Sequence, residues 1–303
     1  MALWTRAKER VAAVGLTPLA RETVAARIER LRTLDGVADL LQKAVRAAVP
    51  SGTPAKDLLS GTWLGHPVHP PLTDLVVGSW TSAWLLDSFG GKRTEPAADG
   101  LVAAGIVAAL PTAASGLSDW AELREGTRRV GFAHALGNTT ALTLHVLSWR
   151  ARRQGRRPTG RALSLLGLSV AGVSAWLGGH LSFGRGVGVN QTAFEDFPTA
   201  WTSVAGEEQL DDGKPIRRSA GGYGVLLVRS GGRIHALADR CSHRGCSLAE
   251  GTVAGGRVTC ACHGSTYELA DGRLVRGPAT APQPVLAVRV RDGRVEVRRG
   301  ESA

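Results

Sequence analysis

Aromatic residues are scarce in this chain, at 5% of 303 positions. Basic residues are plentiful, because 37 Lys and Arg face 26 Asp and Glu and give a net charge of +11. A protein this basic suits nucleic acid or an anionic membrane surface as a partner. No run of basic residues is interleaved with aromatic side chains that could stack on bases. We therefore expect a lipid bilayer as partner and no nucleic acid.

An apolar stretch of the signal-peptide type is missing from residues 1–30, which contain acids and arginines throughout. Delivery to a membrane is therefore expected to depend on internal segments. Residues 1–60 are predicted to form an amphipathic helical segment, because apolar positions from Glu22 to Val49 recur every three, four or seven residues. A break is predicted at Asp35-Gly36. The segment either lies in the headgroup plane or caps the next domain.

Four long stretches with few or no charges follow, and residues 61–184 are predicted to form an α-helical membrane domain with four transmembrane helices. Each stretch has 19–23 residues, enough to cross a hydrocarbon core of about 30 Å at about 1.5 Å per residue. Buried helices of a soluble bundle are the alternative. The stretches are Leu72–Gly90, Gly100–Ser118, Val130–Trp149 and Ala162–Gly184.

The charges of the loops predict an orientation. With four spans, the N-terminus and the C-terminal domain lie on the same side of the membrane. Loops 91–99 and 150–161, on the opposite side, are rich in Lys and Arg, and the positive-inside rule makes that side cytoplasmic. We therefore predict a multi-pass protein of the cell membrane whose C-terminal domain is extracytoplasmic, although the basic N-terminal segment counts against this orientation.

The C-terminal third changes character. Residues 185–203 are predicted as a linker, since they contain several glycines and Pro198. From residue 204 to 303, short β-branched runs alternate with turns such as Asp271-Gly272 and Asp292-Gly293. An Asp-Gly pair between apolar runs is a strong hairpin signal. This part is predicted to be a small all-β domain.

Cysteine is rare, yet its four copies all lie between Cys241 and Cys262. Such clustering indicates a metal site or a disulfide. The spacings Cys241-x-His243 and Cys260-x-x-His263 each pair a thiolate with an imidazole. Two such loops can hold a [2Fe–2S] cluster, with both cysteines on one iron and both histidines on the other. A structural zinc site takes the same ligand types and is the alternative.

These motifs, CSHRGC at 241–246 and CACHGS at 260–265, resemble those of the Rieske [2Fe–2S] family. The resemblance covers roughly residues 204–299, about a third of the chain. It implies a β-sandwich base with the two ligand loops at its tip. It also implies that the two ligand cysteines and the two ligand histidines bind different irons, as the pairing of the motifs suggests.

A finer resemblance is to the high-potential Rieske proteins of cytochrome bc-type complexes. It implies a disulfide between Cys246 and Cys262 that ties the ligand loops together. It also implies hydrogen bonds from Ser265 and Tyr267 to a cluster sulfur and to a ligand cysteine, and a covering proline loop at 277–279. Such donors stabilise the reduced cluster, so we expect a potential in the upper part of the Rieske range of about −150 to +300 mV.

Ionisable residues are also expected at the membrane edge nearest the β domain. Ionisable groups at membrane depth are candidates for function. We predict a redox or quinone site there, with b-type haem as a further candidate cofactor; the alternative is that these side chains only hold the helices together. The segment GHPVHPPLTD and the four-span layout resemble a bacterial predicted-membrane family of uncharacterised function, sometimes joined to Rieske domains. The predicted site residues are His66, His69, His134, His180, Asp74 and Asp119.

The combination predicts a membrane-anchored electron-transfer protein rather than a stand-alone catalyst. It would pass single electrons between a membrane donor, with quinol as the candidate, and another redox protein. Two alternatives remain. One is a component of a Rieske-type oxygenase, which needs a mononuclear iron held by two histidines and a carboxylate. The other is a redox sensor that controls the membrane domain.

Overall fold

A computed structural model describes residues 23–300 of the chain. A helical region is followed by a β region, as the sequence predicts. The predicted segment 1–60 lies partly outside the described residues, which begin at Thr23. The first β-strand begins at Thr202, two residues before the predicted start of the β domain.

Three short helices open the described chain: α1 (Val24–Arg30), α2 (Asp35–Ala48) and α3 (Pro54–Ser60). The side chains of Thr23 and Thr53 cap α1 and α3 by accepting backbone N–H groups, and Pro54 stands at the first position of α3. The predicted break at Asp35-Gly36 is displaced. Asp35 instead begins α2, where its carboxylate interacts favourably with the positive end of the helix dipole.

Four long helices form the rest of the helical region: α4 (His69–Phe89), α5 (Glu95–Trp120), α6 (Glu125–Arg153) and α7 (Arg157–Gly179). The last continues as a π-helical turn over His180–Gly184. Along the chain, α4 packs on α5, α5 on α6, and α6 on α7. Prolines occupy the first turn of α4, α5 and α7, where a missing N–H costs nothing.

The prediction of four membrane spans is not confirmed. Two stretches, Lys92–Trp120 and Arg157–Gly184, are long and apolar enough to cross a membrane, and buried helices of soluble proteins can meet the same criterion. Among the described residues, the other two long helices, α4 and α6, do not meet this criterion. Asp74 and Asp87 lower the hydropathy of α4, and residues such as Asn138 and His145 lower that of α6.

The β region contains three antiparallel sheets. The first has the order β1-β10-β9, the second β2-β3-β4 and the third β5-β6-β7-β8. Their hairpins use glycines at positive φ, including Gly232 (75°), Gly256 (74°) and Gly293 (70°). The strands are β1 (Thr202–Gly206), β2 (Ile216–Ala220), β3 (Tyr223–Ser230), β4 (Arg233–Ala238), β5 (Thr252–Ala254), β6 (Arg257–Thr259), β7 (Thr266–Glu268), β8 (Leu274–Arg276), β9 (Leu286–Arg291) and β10 (Arg294–Arg299).

Strand β3 is buried on both faces and joins two cores. Val225 and Leu227 point into the core with β10, where Val295 and Val297 are fully buried. Leu226 and Val228, on the opposite face of β3, pack into the second core. That second core contains Cys241, Cys260 and Tyr267 and supports the predicted ligand loops.

Candidate metal centre

The two predicted ligand loops have the same backbone design. The first follows β4, and the second connects β6 to β7. In each, the N–H of the first cysteine donates to the carbonyl five residues on: Cys241 to Cys246, and Cys260 to Ser265, both at 2.8 Å. The carbonyls of Cys241 and Cys260 accept from a glycine four residues on, Gly245 at 2.8 Å and Gly264 at 3.0 Å.

Those glycines are required by the turn. Gly245 has φ +75° and Gly264 has φ +81°, values that a side chain with a Cβ rarely adopts. Each turn folds its loop back on itself, so that the cysteine and the histidine two or three residues later face the same side. Each loop is thus predicted to supply one thiolate and one imidazole to a shared centre.

The four predicted ligands converge between the loops. The thiols of Cys241 and Cys260 are free, buried and in mutual contact. The rings of His243 and His263 lie 5.0 Å apart, centroid to centroid, and are nearly perpendicular. Nδ1 of His243 is buried and has no hydrogen-bond partner. A buried imidazole nitrogen without a partner is costly unless it ligates a metal, so this donor set fits a [2Fe–2S] cluster.

Comparisons with known proteins agree with that fit. The family model described as "Rieske [2Fe-2S] domain" matches residues 200–290. The anthranilate 1,2-dioxygenase ferredoxin subunit of Burkholderia cepacia is 32% identical over 100 residues, which are 33% of this chain and 93% of that subunit. The chain belongs to the Rieske [2Fe–2S] family. The zinc alternative has no support from these matches.

Other similarities mark out the two parts of the chain. The model "Predicted membrane protein (DUF2231)" matches residues 65–191. The cytochrome b6-f complex iron-sulfur subunit of Chlorobaculum tepidum is 34% identical over 73 residues, or 24% of this chain and 39% of that subunit. A solved structure, the complex of reduced oxygenase and oxidised ferredoxin in carbazole 1,9a-dioxygenase, aligns at a TM-score of 0.33 and 28% identity. It covers 34% of this chain and 99% of that chain.

Several residues named by the finer resemblance lie around the four predicted ligands. Cys246 and Cys262 are joined by a disulfide. The Tyr267 hydroxyl lies 3.3 Å from Sγ of Cys241 and 2.9 Å from the hydroxyl of Ser242. Ser265 accepts the N–H of Ala279 at 3.0 Å, which ties the proline loop to the second ligand loop.

The helical region contributes a carboxylate that the sequence analysis missed. Glu122, in the connection between α5 and α6, is buried, and its Oε2 lies 3.1 Å from Nε2 of His243. Its Oε1 lies 2.8 Å from Nζ of Lys56, which is equally buried. Burial alone raises the pKa of Glu122, but His243 and Lys56 outweigh this effect and the pKa falls below its usual range. The buried ion pair with Lys56 likewise fits an ionised Glu122.

Further contacts hold the Rieske domain against the helical region. Asp57 accepts the N–H of Gly277 at 2.8 Å, and the Thr62 hydroxyl donates to the carbonyl of Ala279 at 3.0 Å. The Arg244 guanidinium approaches the carbonyl of Asp119 at 3.4 Å. We call this arrangement the docked state. It brings the proline loop and the first ligand loop against α3 and the end of α5.

A cavity of about 370 Å³ lies inside the docked interface. Apolar side chains such as Trp80 and Leu142 form most of its wall, and His243 borders it. Of the six predicted membrane-edge residues, His69, His134 and Asp119 line this cavity. The other three do not: His66 and Asp74 are exposed, and His180 lies 3.3 Å from Glu29.

The lining histidines are partly committed to the helices. Nδ1 of His69 lies 3.0 Å from the carbonyl of Thr112. Both ring nitrogens of His134 have partners, the carbonyl of Ser174 at 2.7 Å and the amide nitrogen of Asn138 at 3.0 Å. His145 is fully buried and stacks on Trp80.

Proposed function

We propose that this protein is a membrane-anchored electron carrier that passes single electrons between a membrane donor and another redox protein. The observation that carries the proposal is the convergence of Cys241, Cys260, His243 and His263 at a docked interface with the helical region. A [2Fe–2S] cluster supplies reversible one-electron chemistry when bound. A sequence relative, the Burkholderia cepacia ferredoxin subunit, is by its name a ferredoxin.

The residues of the chain would hold and tune that centre. The thiolates of Cys241 and Cys260 would bind one iron, and the imidazoles of His243 and His263 the other. The hydroxyls of Tyr267, Ser242 and Ser265 surround the cysteine side and favour the more negative, reduced state. The disulfide between Cys246 and Cys262 would keep the loops together. We therefore propose a potential in the upper part of the range of about −150 to +300 mV.

We propose that the helical region spans the membrane four times. Only 22% of the residues in the apolar stretch of α5 and 28% of those in the stretch of α7 are buried within the protein, so the remaining residues expose surface that lipid can cover. Large apolar side chains are exposed along both helices, including Val107 (66%), Leu110 (63%) and Val173 (68%). An exposed apolar surface of this kind indicates a membrane or a partner. Helices α4 and α6 pack beside α5 and α7 and would cross with them.

We propose an extracytoplasmic Rieske domain, as the loop charges predict. A disulfide between Cys246 and Cys262 is consistent with that side, because such bonds persist in oxidising compartments. The lipid bilayer would then carry the donor to the docked interface from within the membrane.

Quinol is the donor that the cavity suits best. Its wall is largely apolar, with a few polar groups from Asp119, His134 and Asn138, and this combination is typical of sites for ring compounds. The cavity borders His243, so a bound ring would lie next to a proposed cluster ligand. We do not include b-type haem, because both ring nitrogens of His134 already have protein partners.

The oxygenase alternative fits less well. Among residues 23–300, the one grouping of two histidines with a carboxylate that could hold a mononuclear metal is Glu122 with His243 and His263. Two of those residues are the proposed cluster ligands. Substrate-dependent oxygen uptake by the whole protein would favour the oxygenase. Reversible reduction without turnover favours the carrier, and a redox sensor would instead show a change in the helical region on reduction.

The test is electron paramagnetic resonance of the reduced protein purified in detergent. We expect a Rieske-type signal that decylubiquinol also generates, and its loss in His263→Gln. His235→Gln is the matched control, because His235 lies in the same domain outside the ligand loops and its Nδ1 lies 3.1 Å from the carbonyl of Leu269. The absence of a Rieske signal from an iron-loaded wild-type protein would overturn the proposal. Failure of decylubiquinol alone would remove only the quinol donor.

A further inference from the structure

Among the described residues, Glu122 is the charged group of the helical region that lies within ion-pair distance of a ligand histidine. Its carboxylate oxygen lies 3.1 Å from Nε2 of His243. Ligand atoms of Glu122, His243 and His263 all lie within 4.8 Å of one another. The carboxylate therefore lies against both histidines.

A second charge keeps this carboxylate in place. Nζ of Lys56 lies 2.8 Å from Oε1 of Glu122 and also donates to the hydroxyl and the carbonyl of Ser118, at 3.0 and 2.8 Å. The side chains of Lys56 and Glu122 are only 3% and 5% exposed. Buried charges persist when they are paired, so Lys56 lets Glu122 stay charged beside His243.

The contact with His243 is electrostatic rather than a well-formed hydrogen bond. Neither carboxylate oxygen of Glu122 meets a donor in good hydrogen-bond geometry, although both lie at hydrogen-bond distance from a nitrogen. What Glu122 brings to the centre is therefore its negative charge. In a partly buried site, such a charge acts more strongly than it would in water.

We propose that Glu122 lowers the reduction potential of the Rieske centre in the docked state. This inference rests on the proposed function, because it requires a cluster bound to His243 and His263. Reduction adds one negative charge to the centre, and a carboxylate against the histidines opposes that charge. Lys56 lies beyond the carboxylate and offsets only part of its effect. Glu122 acts through His243 and is thus a positioning residue, supplied by the helical region.

The inference connects the potential to the docked state. Glu122 and Lys56 belong to the helical region, whereas the ligands belong to the Rieske domain. Contacts such as Asp57 with Gly277 and Thr62 with Ala279 hold the two parts in register. A Rieske domain that left this position would lose the carboxylate and become easier to reduce.

The test is a redox titration of the full-length protein at one pH, in which electron paramagnetic resonance monitors the reduced centre. In Glu122→Gln we expect the midpoint potential to rise by at least 59 mV, which corresponds to a tenfold change in the equilibrium constant of a one-electron reduction. Glu125→Gln is the matched control, because Glu125 is an exposed acid three residues away and should leave the potential unchanged. Glu122→Asp, which keeps the charge, should lie between the wild type and Glu122→Gln.

The outcomes separate this inference from the proposed function. A wild-type Rieske signal together with an unchanged potential in Glu122→Gln would overturn the inference alone. A Glu122→Asp variant that shifts as far as Glu122→Gln would also overturn it, since lost packing would then explain the effect. If the Glu122→Gln variant does not retain its centre, the double variant Lys56→Gln with Glu122→Gln, in which both buried side chains are neutral, is measured instead. We expect a rise there too, and an unchanged or lower potential would contradict the inference.

Discussion

Both ends of the helical region bury charged residues, but they do so differently. At the end far from the Rieske domain, Arg152 has no exposed side-chain surface and contacts Asp87 and Asp99, the latter at 2.9 Å. Arg157 reaches the same two acids, at 2.9 and 3.0 Å. At the docked end, Lys56 pairs with Glu122, and the second oxygen of Glu122 faces His243 of the other domain.

The difference lies in where the charges find their partners. The far network is closed: Arg152 donates in good geometry to Asp99 at 2.9 Å and to Ser148 at 3.1 Å, and all of its members belong to the helices. The docked network is completed only by a proposed cluster ligand. A closed network indicates a structural role, while a network that another domain completes indicates a functional one. The variants below test that distinction.

The largest effect is expected at the far end. Arg152→Leu leaves the buried Asp87 with Arg157 alone, and breaking a buried ion pair costs about 3–5 kcal/mol. We expect a lower unfolding temperature in detergent and no change in the potential of the Rieske centre. Arg153→Leu, at an exposed neighbouring position, is the control for stability. A shift in the potential of the Rieske centre in Arg152→Leu would contradict the purely structural role of the far end.

An intermediate effect is expected from the disulfide at the docked end. The bond between Cys246 and Cys262 closes a loop with a sequence separation of 16 residues, for which chain entropy predicts about 3 kcal/mol. In the double variant Cys246→Ser with Cys262→Ser, we expect the visible absorbance of the centre to be lost at a lower temperature. Unfolding of the helical region should be unaffected. A centre as heat-stable as the wild type would mean that the loops hold together without the bond.

The smallest effect is expected from Gly277→Ala, at the contact between the proline loop and α3. A Cβ at Gly277 would lie 2.0 Å from Oγ1 of Thr62, and overpacking of this kind costs about 1–3 kcal/mol. The docked state should loosen, and the potential should move in the same direction as in Glu122→Gln. Adding Thr62→Ala should reverse part of the shift by making room. If Gly277→Ala leaves the potential unchanged, the docked position does not control it.

The sequence was informative where the signal is local. Cys241 with His243, and Cys260 with His263, lie within a few residues of each other, so their spacing alone predicted the ligand loops. The same holds for hairpin turns such as Asp292-Gly293, where positive φ values select glycine. Long-range partners carry no such pattern. Glu122 is 66 positions from Lys56 and 121 from His243, and only the packing of the two domains brings them together.

The helical region was predicted less well for a related reason. Long uncharged runs predict that its helices exist, but they do not predict what each helix face packs against. The grouping of His66 and Asp74 with His69 assumed that residues at one depth share one site, whereas helix rotation turns Asp74 outward and His69 toward the cavity. Likewise, the break before α2 falls at Leu31 to Leu34 rather than at Gly36, because Asp35 is a suitable first residue for a helix.

The docked interface relies heavily on main-chain atoms. Thr62 donates to the carbonyl of Ala279, Arg276 to that of Gly52 at 3.1 Å, and Asp57 accepts from the N–H of Gly277. A main-chain partner survives almost any substitution of the residue that carries it. Paired substitutions between the two domains are thus not needed to preserve these contacts during evolution. Searches for covarying positions should detect the interface mainly through Glu122 with His243 and Asp57 with Arg276, where both partners are side chains.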